Sequence, residues 1–213
     1  MTFKHVYTRF IMIVLAAGLL STVSACKKDK DKDKDPVVTL PTSPLYDTLG
    51  WFIQGATGSV EGQGTKMIAD PANPGTMIQA GRLAIRTVVD TAIFVIAADP
   101  QMQPYFPVLL AEVSSNTLTG FLKLEKNLTD FIQEAVSGQK VYTGLSMKDA
   151  HNHATHARFG SDASPETRKV NAADFDRFVA DVAMAATQLQ VPASVTAQLG
   201  ALLYTTQPDI VQR

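Results

Sequence analysis

The chain has 213 residues, and its 19 lysines and arginines nearly balance 20 aspartates and glutamates, for a formal net charge of −1. A charge this small argues against binding to nucleic acid or to another polyanion. The sequence contains no internal repeat, and the part that follows the first 43 residues is long enough for one domain with its own hydrophobic core.

Residues 1–25 have the order of a bacterial secretory signal peptide. Lys4 and Arg9 precede an apolar run at positions 10–20, and small residues follow it. The run is shorter than the roughly 20 residues that a helix needs to cross a bilayer. We therefore expect cleavage of this segment rather than a retained transmembrane helix.

Cys26 follows the signal peptide directly and is the only cysteine in the chain. Val23-Ser24-Ala25-Cys26 has the form of a bacterial lipobox, and a single cysteine cannot form an internal disulfide. We expect a lipid on Cys26 that anchors a lipoprotein at the bacterial cell envelope, on its periplasmic or surface face. The alternative is a plain secreted protein with an incidental thiol.

Residues 26–43 are predicted to be a disordered tether. Lysine and aspartate alternate from 27 to 35, and a segment rich in proline, threonine and serine follows. Such a segment has no apolar surface to bury, and its charges nearly cancel, which favours a solvated spacer over a site for nucleic acid or lipid headgroups. Residues 44–213 then form the folded domain.

The domain is predicted to be all-α, because strand signals are weak and helical periodicity recurs. The region 55–75 is rich in glycine and contains two prolines, which favours a surface insertion. A phosphate-binding loop at 58–64 is disfavoured, because no GK[ST] motif follows it. Apolar residues recur at helical spacing over 80–98, which Asp99-Pro100 ends, and over 117–136.

Three shorter helices are predicted farther along the chain. A capping box of Ser146 and Asp149 begins one that continues through the histidines, and a second box, of Asn171 and Asp174, begins the next. Pro192 opens the last helix in its first turn, and we expect Pro208 to end or kink that helix.

Three of the four histidines lie within six residues, as His151, His153 and His156. The HxHxxH pattern suggests a zinc site, but a helix turns about 100° per residue and would place His151 about 160° from His153. A single ion could not readily bind all three. His151 shares the core-facing stripe with Met147, where a hydrogen-bonded core histidine is the alternative to a metal ligand.

Five segments of the domain, in the same order, resemble the truncated haemoglobins, with most likeness to group I. The segments are Pro44–Gly50, Arg86 to Phe106, Ser137–His151, Asp174–Asp176 with Val191–Pro192, and Pro208–Val211. The resemblance implies a shortened 2-on-2 globin sandwich. Loops would be inserted near 52–76, 108–115 and 153–170.

The resemblance also implies the cofactor and its ligand. The stretch that ends at His151 is similar to the family's most diagnostic segment, so His151 would be the proximal ligand of the iron in haem b. Phe106 and Met147 would contact the haem. His153 and His156 fall in an insertion and are expected at the surface, with contact to a haem propionate or a loosely held metal as the alternative.

On the distal side the family's usual tyrosine position falls on Ile93, with Phe94 beside it, and its polar positions fall on Leu124, Asn127 and Leu128. Asn127 alone could donate a hydrogen bond to a ligand, so the distal pocket would be predominantly apolar. Distal donors help to decide how oxygen is held. Fast ligand escape, a preference for carbon monoxide or nitric oxide, and loss of haem binding all stay open.

The leading functional hypothesis is a haem protein of the cell envelope that binds a diatomic gas, O2, NO or CO, with an unidentified reductase or envelope partner. An enzymatic role, as in nitric oxide oxidation or peroxidase-like chemistry, is not claimed from the sequence. The alternative is a non-haem globin-fold lipoprotein that acts as an interaction or haem-transfer module, since fold does not fix function.

Overall fold

The fold is mostly helical, as the sequence predicts, and includes one short pair of strands. The computed structural model describes residues 44–152 and 169–213; the predictions for the signal peptide, Cys26, the tether, His153 and His156 lie outside these ranges. The helices are α1 (Leu45–Ile53), α2 (Ala80–Ala98), α3 (Pro107–Ser114), α4 (Thr119–Ser137), α5 (Met147–Ala150), α6 (Ala172–Gln188), α7 (Ala193–Tyr204) and α8 (Gln207–Ile210), with a 3-10 turn at Gln103–Tyr105. The strands are β1 (Met67–Ala69) and β2 (Met77–Gln79).

Helix α2 lies at the centre of the fold and packs against α1, α4 and α6. Its bounds are those that the sequence predicts, and Asp99 ends it. The main hydrophobic cluster joins α2 to α6 through Val88, Ala92 and Phe175, of which Phe175 is only 1% exposed. Burial on several sides explains why apolar residues are found around most of the circumference of α2.

The capping box predicted at Asn171 is confirmed, whereas at Ser146 only the serine cap forms, and the Asp149 carboxylate accepts from the Ser146 hydroxyl. Asn171 and Asp174 form a complete capping box at the start of α6. The Ser146 hydroxyl accepts a hydrogen bond from the Asp149 amide at 3.1 Å, which satisfies one of the amides that a helix start leaves unpaired.

Two expectations about helix ends are wrong. Helix α5 ends at Ala150, and His151 is its C-cap, so the helix does not continue through the histidines. Helix α7 ends at Tyr204, and Pro208 lies in the first turn of α8 rather than ending or kinking α7. A first-turn position suits proline, because the amide that proline lacks has no helical partner there.

The glycine-rich region 55–75 is more than the surface insertion that the sequence predicts. It includes β1, which pairs antiparallel with β2 so that Ile68 lies opposite Ile78. Gly64 is close to Tyr46, because a Cβ on Gly64 would lie 2.6 Å from Tyr46 Cδ1. Most of the region is exposed, as predicted, but the strand was not foreseen, because its contacts join separate segments of the chain.

Asp70 connects this region to α2. Its carboxylate is 7% exposed and accepts two hydrogen bonds from the Arg86 guanidinium, at 2.5 and 3.2 Å. A two-pronged pair of this kind is geometrically specific and stronger than a neutral hydrogen bond. The hydrogen bonds from Arg86 hold the pKa of Asp70 well below its ordinary value.

We predict that Asp70→Asn lowers the free energy of unfolding by about 2–3 kcal/mol at pH 7, because Arg86 loses its charged partner in a buried place. A lowered folded-state pKa stabilises the protein above the ordinary pKa of aspartate, and this stabilisation disappears as the pH falls. The difference between the two proteins in urea denaturation should therefore shrink towards pH 3. Glu61→Gln, in the exposed part of the same region, is the control. Equal stability of Asp70→Asn and wild type at pH 7 would contradict this prediction.

Candidate functional site

His151 follows the last residue of α5, and its orientation is fixed by a local hydrogen bond. Its ring nitrogen Nδ1 lies 2.8 Å from the carbonyl oxygen of Met147. A carbonyl only accepts, so Nδ1 must be the protonated nitrogen. In the neutral ring Nε2 then has the lone pair, which is the arrangement of an imidazole that binds a metal through Nε2.

The backbone of His151 is held from both directions. Its amide donates to the Met147 carbonyl at 3.1 Å, and its own carbonyl accepts a hydrogen bond from Gln212 Nε2 at 2.5 Å. The side chain is half-buried. His151 is therefore an ordered residue at the edge of the interior, and the angular argument from a regular helix does not apply to it.

Two of the other predicted haem contacts lie against one cluster. Phe106 and Met147 are both half-buried, and both pack on the core that α2 and α6 share. Tyr105, the neighbour of Phe106, donates a hydrogen bond to Asp174 Oδ2 at 2.6 Å. That bond connects the turn after α2 to the capping box of α6.

The predicted distal residues lie on α2 and α4, which pack together. Ile93 is buried, whereas Leu124, Asn127 and Leu128 are half-buried. The rings of Phe94 and Phe121 join the two helices, with their centroids 6.0 Å apart. The structure therefore brings both predicted distal segments to one pair of helices.

A charged seam between α2 and α4 was not predicted from the sequence. On α2 it consists of residues at every fourth position, which lie on one face of a helix. Their neighbours on α4 follow in the reverse order, as expected for antiparallel helices. The seam contains Arg82, Arg86, Asp90 and Phe94 on α2, and Gln133, Asp130, Glu125 and Phe121 on α4. Charged residues at four-residue spacing inside an apolar helix were the signal that could have revealed it.

Asp90 is the least satisfied member of the seam. Its side chain is buried, and its Oδ1 has no hydrogen-bond partner. Burial is the main cause that raises the pKa of Asp90 from 3.8 to about 7, and the nearby Glu125 carboxylate adds to the rise. The positive charge of Arg86 acts in the opposite direction. Burial also raises the pKa of Glu125. Both carboxyl groups thus hold a proton more tightly than an exposed acid does.

Within residues 44–152 and 169–213, no group of three His, Cys, Asp or Glu side chains is arranged to hold a metal ion. In the same ranges, no helix combines the length and apolar character that crossing a membrane requires. In comparisons with known proteins, no family model and no curated protein matches the chain. The resemblance to truncated haemoglobins therefore depends on the five segments described above.

We predict that Asp90→Asn stabilises the protein above neutral pH. A raised folded-state pKa means that the folded protein binds the proton more tightly than the unfolded chain does, so the wild type loses stability as the pH rises from about 4 to 7. The asparagine variant has no proton to lose at this position and should not show this loss. It should match the wild type near pH 4 and exceed its free energy of unfolding by about 3 kcal/mol at pH 8. Urea denaturation across this range is the measurement, and a difference independent of pH would contradict the prediction.

Proposed function

We propose that the protein binds haem b at the bacterial cell envelope as a group I-like truncated haemoglobin, with His151 as the proximal iron ligand. One observation supports the proposal most strongly. His151 belongs to the segment most similar to the family's diagnostic stretch, and its hydrogen bond to Met147 leaves the lone pair of the neutral ring on Nε2.

The residue types at the predicted positions are those that a haem site uses. A haem needs an axial imidazole and an apolar pocket that is mostly enclosed by protein. His151 would bind the iron, and Met147 and Phe106 would contact the ring. The half-buried Leu124 and Leu128 offer further apolar surface. These side chains would supply the apolar surface that a porphyrin ring requires.

When bound, the haem iron supplies a coordination position for O2, NO or CO. Among the proposed distal residues, Ile93, Leu124 and Leu128 cannot donate a hydrogen bond, and Asn127 can. The chain's own contribution is thus a largely apolar pocket that excludes water and stabilises bound oxygen weakly. Nitric oxide oxidation and peroxidase-like chemistry are not included in the proposal.

The alternative is a globin-fold scaffold that does not use haem, or that passes haem to another protein. No described residue favours this alternative over the first. The two readings differ in what they require of His151: a gas-binding haemoglobin depends on its imidazole, whereas a scaffold does not.

We expect purified protein, titrated with haem, to give a sharp Soret band that His151→Ala loses. Optical titration is the measurement, and added imidazole should restore part of the band in the variant. Lys148→Ala is the matched control, because Lys148 is an exposed residue of the same short helix. A band of equal intensity in His151→Ala, or no band in the wild type, would overturn the proposal.

Anchoring through lipid on Cys26, which lies outside the described residues, is the second part of the proposal. We expect the wild-type protein, expressed in a bacterium that processes lipoproteins, to incorporate labelled palmitate and to sediment with membranes. Cys26→Ser should remove both properties, since the thiol is the site of attachment. Ser21→Ala, outside the lipobox, is the control. Membrane sedimentation and label in Cys26→Ser would refute the anchor.

A further inference from the structure

Gln212 connects two parts of the chain that are distant in sequence. Its side-chain Nε2 donates to the His151 carbonyl at 2.5 Å, across 61 positions. Its backbone amide donates to the Val170 carbonyl at 2.7 Å. One residue thus holds both the residue after α5 and the residue just before the cap of α6.

The contact matters for His151 because α5 is very short. Four residues form a single turn, and an isolated turn of helix is unstable without tertiary contacts. The short helix α8, which directly precedes residues 211–213, packs against α5. The side-chain amide of Gln212 adds a hydrogen bond to the backbone carbonyl of His151 itself, the residue that bears the imidazole.

We propose that Gln212 is the positioning residue of His151, an inference that rests on the proposed role of His151 in haem binding. The hydrogen bond fixes the peptide plane that follows His151, while the Nδ1 bond to Met147 fixes the ring. Partners that hydrogen-bond the ring of a ligating histidine typically contribute a factor of ten to a hundred in metal affinity. Gln212 bonds to the backbone of His151, so we expect an effect at the lower end of that range. Gln212 acts through His151 and makes no contact with the iron in this proposal.

A purely structural role for Gln212 would give a different result. In that case its loss would lower the stability of the whole domain and leave the iron–histidine bond unchanged once haem is bound. Gln212→Glu separates the two roles, because ionised glutamate has nearly the same shape but cannot donate a hydrogen bond. Gln198→Glu is the matched control, since Gln198 is exposed on α7 and its side chain bonds only to its own helix.

Three measurements test the proposal on the full chain. For haem-loaded protein, we expect Gln212→Glu to shift the iron–histidine stretching band and to speed haem loss to an acceptor protein about tenfold. For haem-free protein, we expect faster hydrogen exchange of the amides of residues 150–152. The control should match the wild type in all three.

The possible outcomes are distinct. If the wild type binds haem and Gln212→Glu keeps the wild-type band and rate of haem loss, the positioning role is wrong. If the wild type binds no haem, the proposed function fails, and amide exchange alone then decides whether Gln212 holds His151. Unchanged exchange in Gln212→Glu overturns the proposal in that case as well.

Discussion

The position of α2 in the fold depends on two ion pairs between its arginines and partly or fully buried carboxylates. Arg82 pairs with Asp130 on α4 at 2.7 Å, and Arg86 pairs with Asp70 in the region between α1 and α2. Charges taken out of water are costly unless they are paired, whereas apolar packing tolerates small shifts between helices. The Arg82–Asp130 pair therefore favours one register of α2 against α4, and the Arg86–Asp70 pair holds the region between α1 and α2 against α2. Because Phe94 continues the same stripe, that register also decides which α4 residues face the proposed haem pocket.

Local signals in the sequence were sufficient for the parts of the fold that depend on local energetics. The bounds of α2, the Ser146 cap and the Asn171 capping box follow from residues within one or two turns. The strand pair was not predictable in this way, because each strand has three residues and its stability comes from contacts with the rest of the domain. Helix α3 lacks a side-chain cap and has no buried residue, so the start signal in its sequence is limited to Pro107 at the first helical position.

The candidate site shows the same division. His151 was singled out from the sequence of its own segment, and its hydrogen-bond partner Met147 is only four positions away in the chain. Its position after the helix end and its contact with Gln212 depend on a partner 61 residues away, which no pattern near the histidine indicates. The seam is intermediate, because the four-residue spacing of its charges on α2 is a local signal, whereas their partners on α4, such as Gln133 for Arg82 at 51 positions, are not.

The acids around Arg86 have pKa shifts in opposite directions. Arg86 supplies one positive charge, whereas Asp70, Asp90 and Glu125 could supply three negative charges around it. The hydrogen bonds from Arg86 lower the pKa of Asp70. Burial is the largest cause of the raised pKa values of Asp90 and Glu125, and the charge of Arg86 opposes that rise. Asp90 lies one turn before Phe94, which neighbours the proposed distal position Ile93. A buried carboxyl group that favours its protonated form therefore lies on the same stripe of α2 as the proposed pocket.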